Sequence, residues 1–180
     1  MARTALLSLL SLLSLSVPFG LGPVGPMVAP APTSAHRTTA TSPTTAEIDA
    51  QVWTAVAASV VQGDIVAMGR TYHEMAVLVT KTGTKPIAEA LAGWGKGMVT
   101  AKRDGDRATV GFRFTNRHDD ATTAFEAGIF KYTVTNRAGA STSSYTRLEA
   151  LLVKTNGRWR TLMERQLDQA TESDWNALPR

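Results

Sequence analysis

Tyr145–Gln166 reads YTRLEALLVKTNGRWRTLMERQ. Two alternating segments flank an Asn156-Gly157 dipeptide, and Asn-Gly tolerates the two positive φ angles that a two-residue hairpin turn demands. Pairing Thr155 with Arg158 and counting outward places Val153 opposite Arg160, Leu151 opposite Leu162, Glu149 opposite Glu164 and Arg147 opposite Gln166. Two carboxylates then face each other on one sheet surface. Opposed like charges are unfavourable, so this register requires Arg147 and Arg160 to neutralise them, or a proton, ligand or cation at the site. A purely structural network further predicts that Glu164→Gln costs about 1–3 kcal/mol by stranding an arginine.

The rest of the chain supplies helices before this hairpin and strands around it. Thr44-x-x-Glu47 has the form of a capping box, and Ile48, Val52, Val56 and Val60 follow at helical spacing until Gly63. Asp64 can cap a short second helix carrying Ile65, Met68 and Tyr72, and Met75 to Thr80 is β-branched and apolar enough for a strand. Pro86 opens a third helical stretch in which Ile87, Leu91, Trp94 and Met98 share a face, weakened by Gly93, Gly95 and Gly97. Beyond Arg103 the period becomes two. Residues 107–117, 122–135, 145–155 and 158–167 alternate and form an antiparallel meander, and Thr171 to Leu178 forms a last short helix with Trp175 folded back. Helices followed by a curved sheet give an α+β class in which the helices cover one face.

Pairing His118 with Ala121 would set Arg113 opposite Glu126 and Phe114 opposite Phe125. The loop over 136–144 does not fix the next register; grouping the polar residues sets Glu126, Phe130 and Tyr132 on the Glu149/Glu164 surface. Phe112, Phe114, Phe125, Ala150, Leu152, Trp159 and Met163 make the other surface apolar, which predicts a partner sheet across a dimer interface.

The 180 residues suffice for one well-buried domain. Arg3, the Leu-rich run from Leu6 to Val17, and Pro18 with Gly20 have the layout of an export signal. That run is shorter than the roughly 20 apolar residues of a membrane span. The expected organisation is a signal peptide over 1–35 with cleavage before His36, a Thr/Ser/Pro/Ala-rich tether over 36–45, and a domain over 46–180. An exported product, periplasmic or secreted, without a stable membrane span follows. The absence of cysteine excludes disulfides and thiolate metal sites. The net charge of +4 is spread among acidic residues instead of gathered in blocks, which gives no case for nucleic acid. His73 and His118 have no second histidine at ligand spacing, so no metal site is expected, and no phosphate loop or nucleophile elbow is present. No cofactor is expected.

Glu126-Ala-Gly-Ile-Phe-Lys-Tyr132, Asn156-Gly157-Arg158-Trp159 and Glu164-Arg-Gln166, in this order of elements, resemble the nuclear transport factor 2-like superfamily, and within it the SnoaL-like and ketosteroid-isomerase-like branch, over about residues 46–178. The resemblance implies a cone-shaped roll whose pocket lies between the helices and the concave sheet, with Leu162, Glu164 and Gln166 pointing inward and the convex face buried in a homodimer. It departs from isomerases in having Trp53 and Thr54 where an oxyanion-donating Tyr belongs on the first helix. The primary expectation is therefore an exported domain binding a small, partly apolar molecule. Tyr72 and Trp94 are expected as aromatic walls, and Arg113, Glu126, Tyr132, Arg147, Glu149, Glu164 and Gln166 as polar contacts. One alternative is an acid/base enzyme (isomerase, cyclase or dehydratase) using Glu149 or Glu164. Another is a homodimeric association module whose pocket is filled by its own side chains.

Overall fold

A computed structural model describes residues 42–179. The expected signal peptide and the tether as far as residue 41 lie outside the described residues. Helix α1 (Pro43–Ile48) runs into a π-helical segment (Asp49–Trp53) and on into α2 (Thr54–Gln62). The helix is capped two residues earlier than the Thr44 capping box implies. Ser42 accepts from the Thr45 amide and Pro43 stands at the first helical position, so the last tether residues, 43–45, are already helical. Glu47 is thereby released to Lys154 and the Trp159 indole.

The π segment has a cause in the spacing. Ile48, Val52, Val56 and Val60 repeat every four residues and are all buried. An α-helix turns in roughly 3.6 residues, so a four-residue repeat drifts off the core face by nearly one residue over three turns. One wide turn, closed by Thr54 N–H donating to the Asp49 carbonyl, absorbs that residue and keeps the stripe on the sheet.

Helix α3 (Ile65–Gly69) is capped by Asp64, as its sequence predicts. Tyr72, however, lies on strand β1 (Tyr72–Thr80) and not on that helix. A short hairpin leads to β2 (Gly83–Pro86) and then α4 (Ile87–Asp104). Strands β3 (Arg107–Asp119), β4 (Thr123–Thr135), β5 (Ser141–Thr155) and β6 (Arg158–Gln169) form the expected meander, and α5 (Glu172–Ala177) closes the described chain. The sheet order is β2-β1-β6-β5-β4-β3, mixed because β1 runs parallel to β6. The helices α1–α4 line one side of this curved sheet. Ile48, Val52 and Trp53 pack on Ala124, Leu148, Ala150, Leu152 and Trp159, and Val56, Val60, Met68, Ile87 and Ala90 gather with Tyr72, Ala76 and Leu78.

Asn156 (φ 53°) and Gly157 (φ 74°) form the two-residue turn, and Thr155 pairs with Arg158 as expected. Gly157→Val puts a β-branched residue in the left-handed region and is expected to lower stability by about 1–2 kcal/mol; a denaturant titration measures it. Beyond Leu152↔Thr161, a bulge leaves Leu162 unmatched, and pairing resumes at Leu151↔Met163 and Ala150↔Glu164. One extra residue exchanges the faces of everything beyond it. Glu149 therefore pairs with Arg165 on the convex face, while Glu164 joins Trp159 and Thr161 on the helix side. The opposed glutamates do not form.

A second bulge, at Thr115, separates Phe114↔Gly128 from Asn116↔Ala127, so Glu126 lies opposite Arg117 and Arg113 opposite Ile129. A Cβ on Gly128 would stand 2.1 Å from the Arg113 carbonyl oxygen, which explains glycine at this close approach. Alternation now sets Phe112, Phe114, Ala150, Leu152 and Trp159 against the helices instead of a partner. Only Phe125 and Met163 of the expected apolar surface stay on the convex side.

Candidate functional site

The two buried carboxylates among the described residues are Glu126 (1% exposed) and Glu164 (8% exposed), both on the concave face. Glu126 lies beneath the π segment. Its Oε1 accepts from Arg117 Nε at 2.8 Å and its Oε2 from Trp53 Nε1 at 2.5 Å, while Arg117 also donates to both Asp49 oxygens at 3.1 and 2.6 Å. Burial raises the Glu126 carboxyl above its ordinary range, against the pull of the Arg117 charge and the Trp53 hydrogen bond. Desolvation lowers Arg117, but its bonds to Asp49 and Glu126 more than offset this and hold it raised. The Trp53 ring fills the space above, 4.7 Å from Phe112 and 5.3 Å from Phe114, centroid to centroid. Arg117 was not singled out in the sequence because the unbulged register aligned Arg113 with Glu126. Around Glu126 the concave face is a packed, hydrogen-bonded network.

Glu164 is different. Its Oε2 accepts from the Tyr72 hydroxyl at 2.6 Å and its Oε1 from Gln166 Nε2 at 2.8 Å. No Lys, Arg or His among the described residues forms an ion pair with it. Burial raises its pKa, against the two hydrogen bonds, and burial, then the Glu164 charge, raises Tyr72 well above the ordinary phenol. The cluster exists because β1 lies beside β6 in parallel and starts at Tyr72↔Thr161. The Trp94 ring of α4 lies 6.4 Å from Tyr72. Trp94, Met98, Phe112 and Tyr132 are half-buried against the apolar cluster to which Tyr72 belongs, and burial raises the Tyr132 phenol too. A desolvated acid held by two neutral donors beside half-open aromatic rings can bind a polar group or exchange a proton.

Of the expected site residues, the structure thus brings Tyr72, Glu164 and Gln166 together, with Trp94 beside Tyr72, while Tyr132 lies on the same face further along β4. Glu126 is concave but saturated. Arg113, Arg147 and Glu149 lie on the other face, because the bulges put them there. Arg113 donates to the Trp175 carbonyl at 2.8 Å and stacks 4.4 Å over its ring, anchoring α5. Arg147 pairs with Asp174 at 2.9 Å and Glu149 with Arg165 at 3.0 Å. Arg147 and Glu149, with Thr115, Ile129 and Leu167, line a shallow open groove of about 130 Å³. Glu149 is therefore no partner of Glu164 in acid/base work. Among the described residues no group of His, Asp or Glu could hold a metal ion, and no helix is long and apolar enough to cross a membrane.

Because Glu164 faces no arginine, the expected loss from stranding one does not apply, and the sign of Glu164→Gln reverses. A carboxyl whose folded pKa is raised gives stability that is present below about pH 4.3 and is lost as pH rises through the folded value. Glu164→Gln is expected to hold its stability over that rise where the natural protein declines, and to be the more stable of the two at neutral pH. Thermal melts at several pH values check this.

Solved proteins superpose on this helical layer and six-stranded mixed sheet. A nuclear transport factor 2-like superfamily protein from Salmonella enterica serovar Typhimurium superposes with TM-score 0.55 at 13% identity over 73% of this chain and 96% of that one. The chain has the nuclear transport factor 2-like fold. A ketosteroid isomerase-like protein from Erwinia carotovora atroseptica gives TM-score 0.50 at 20% identity, over 70% of this chain and 95% of that one. A candidate calcium/calmodulin-dependent kinase II association domain from Exiguobacterium sibiricum gives 0.55 at 11% identity, over 72% and 95%. No family model matches the sequence, and no curated protein matches it. The nuclear transport factor 2-like fold fits a ligand-binding domain and equally an assembly module.

Proposed function

We propose that this chain is an exported, small-molecule-binding domain whose ligand sits at the Tyr72–Glu164–Gln166 cluster, against Trp94. The observation that carries this reading is Glu164. A buried acid with only neutral partners is costly in a core, and one beside half-buried aromatic groups between a helix and a concave sheet occupies the position where this fold would hold a ligand. Native mass spectrometry of the purified chain tests it. A stoichiometric co-purified small molecule that disappears in Trp94→Ala or Gln166→Ala supports the reading, and a bare mass that no metabolite mixture shifts or stabilises overturns it.

The convex face supports a second role, in assembly. Val77, Met163, Leu151 and Phe125 follow one another across four strands in register. Alternation directs this row away from the helices, and α5 is anchored over Gly111 and Arg113 instead. An apolar row across a sheet suits face-to-face packing on a second copy, in keeping with a structural neighbour that is a candidate association domain. Sedimentation is expected to give a dimer that Leu151→Asp converts to a monomer with its fold intact. A natural chain that sediments as a monomer at high concentration defeats this assignment.

A further inference from the structure

The contrast between the two buried carboxylates points to the class of ligand. Glu126 carries its own counter-ion, Arg117, at 2.7 Å. Glu164, equally remote from solvent, has a phenol and an amide. The charged residues of the neighbouring elements do not fill the role. On α4, Glu89, Lys96, Lys102, Arg103 and Asp104 are all exposed. On β6, Arg160 and Arg165 alternate to the convex face, and on β5 Arg147 and Glu149 lie there too. On β1, His73 accepts from the Met75 amide and Glu74 is exposed. Among titratable groups on the concave face, Tyr72 touches Glu164 directly, and Glu126, held by Arg117, lies two strands away in the same row across Ala150.

What surrounds Glu164 is instead a set of surfaces that attract positive charge. The Tyr72 and Trp94 rings are tilted by 46° to one another at 6.4 Å, and Met98 packs on the same apolar cluster as Tyr72. Ring faces carry the negative lobe of the aromatic quadrupole, and an alkylated ammonium is held by such faces when desolvated. Methionine adds a soft, adaptable wall. Carboxylate and rings together can replace the hydration of an organic cation, whereas an anionic ligand would meet only repulsion there.

We propose that the Tyr72–Glu164 cluster binds an organic cation, a methylated or otherwise alkylated ammonium, with Glu164 as its counter-ion and the rings of Tyr72 and Trp94 as its walls. This rests on the reading of the concave cluster as a small-molecule site. Only the ionised carboxyl can serve as counter-ion, so affinity must rise with pH until Glu164 is fully ionised in the free protein, by up to about tenfold per pH unit. A neutral ligand accepting a proton from Glu164 would show the opposite slope. Tyr72 does not confuse the slope, because burial raises its phenol, and the Glu126 carboxyl, raised by burial as well, is removed from the slope in Glu126→Gln.

The test is calorimetric titration of the full chain with choline and with its uncharged isostere 3,3-dimethylbutanol, between about pH 5 and about pH 8. The expected result is choline binding at least about tenfold tighter than the alcohol, tightening with pH, and weakened about tenfold or more in Glu164→Gln while the alcohol is unaffected. Equal binding of the two, or choline binding indifferent to pH, overturns the cation assignment and leaves the small-molecule site standing. Failure of both probes, with a neutral or anionic co-purified molecule in the native mass spectrum, does the same. Failure of both probes with no co-purified molecule removes the site as well. The pH slope is read on the natural protein, so the assignment stays testable even if Glu164→Gln folds poorly.

Discussion

Arg117→Met is expected to lower the unfolding free energy by about 3–5 kcal/mol, the cost of removing one partner from a buried ion pair. The guanidinium is one group serving two acids, bonded to Glu126 and to both oxygens of Asp49. Glu126 is 1% exposed and cannot recruit water in its place. Its remaining donor would be the Trp53 indole. For a domain of this size the melting temperature should fall by on the order of 10 °C. The deficit must also depend on pH. With Arg117 gone, burial acts on Glu126 unopposed by the guanidinium, its folded pKa moves further above the unfolded value, and stability is lost as pH rises from about 4.3. The variant should therefore lie closest to the natural protein in acid and furthest from it at neutral pH. Adding Glu126→Gln should recover part of the loss, because the orphaned charge goes with it. A difference of a few tenths of a kcal/mol, the same at every pH, would place this bridge in the class of solvent-screened pairs such as Arg147–Asp174, whose side chains are 44% and 39% exposed.

Arg117 also shows where the sequence stops being readable. Local order was legible. Helix stripes, the capped start of α3, four alternating strands, the Asn156-Gly157 turn and the folded-back Trp175 all depend on neighbours a few residues apart, and each element is present within a few residues of its expected span. The cross-strand partners depended on counting, and counting fails at a bulge because the extra residue leaves composition and alternation almost unchanged. At β6 one signal was available. Leu162 and Met163 are adjacent apolar residues in an otherwise alternating strand, and the unmatched residue is Leu162. At β3 there was none, since Thr115, Asn116, Arg117 and His118 are all polar and nothing marks which one is extra. Two single-residue slips moved Glu149, Arg147 and Arg113 out of the expected site. The Tyr72–Glu164 pair is legible only in part for another reason. The β1–β6 pairing is parallel and brings together Tyr72 and Glu164, 92 residues apart, so no turn chemistry fixes it. Of the three residues that the superfamily resemblance turned inward, Glu164 and Gln166 lie on the concave side and Leu162 is the unmatched bulge residue.

Trp53→Ala should rank with Arg117→Met, at about 3–5 kcal/mol, through a different mechanism. The indole is 6% exposed and packs on two phenylalanine rings, so its removal leaves a void that the rigid β3–β4 pair cannot collapse into. Glu126 would keep Arg117 and lose one neutral donor, a smaller part of the total. Alanine itself suits a helix, so the loss belongs to the core and not to helix propensity. Trp94, half-buried on α4, gives the internal comparison and should cost distinctly less. The void in Trp53→Ala is aromatic-lined and shaped by the ring that left it, so added indole should raise the melting temperature of the variant and leave that of the natural protein unchanged, the gain growing with the logarithm of indole concentration. Rescue would show that the half of the concave face beneath the π segment is a preformed space which Trp53 occupies, and that ligand chemistry in the natural chain is confined to the Glu164 end. A large loss without rescue would instead mean that the π segment and sheet rearrange together when the ring goes, making Trp53 the element that sets the helix at its height above the sheet.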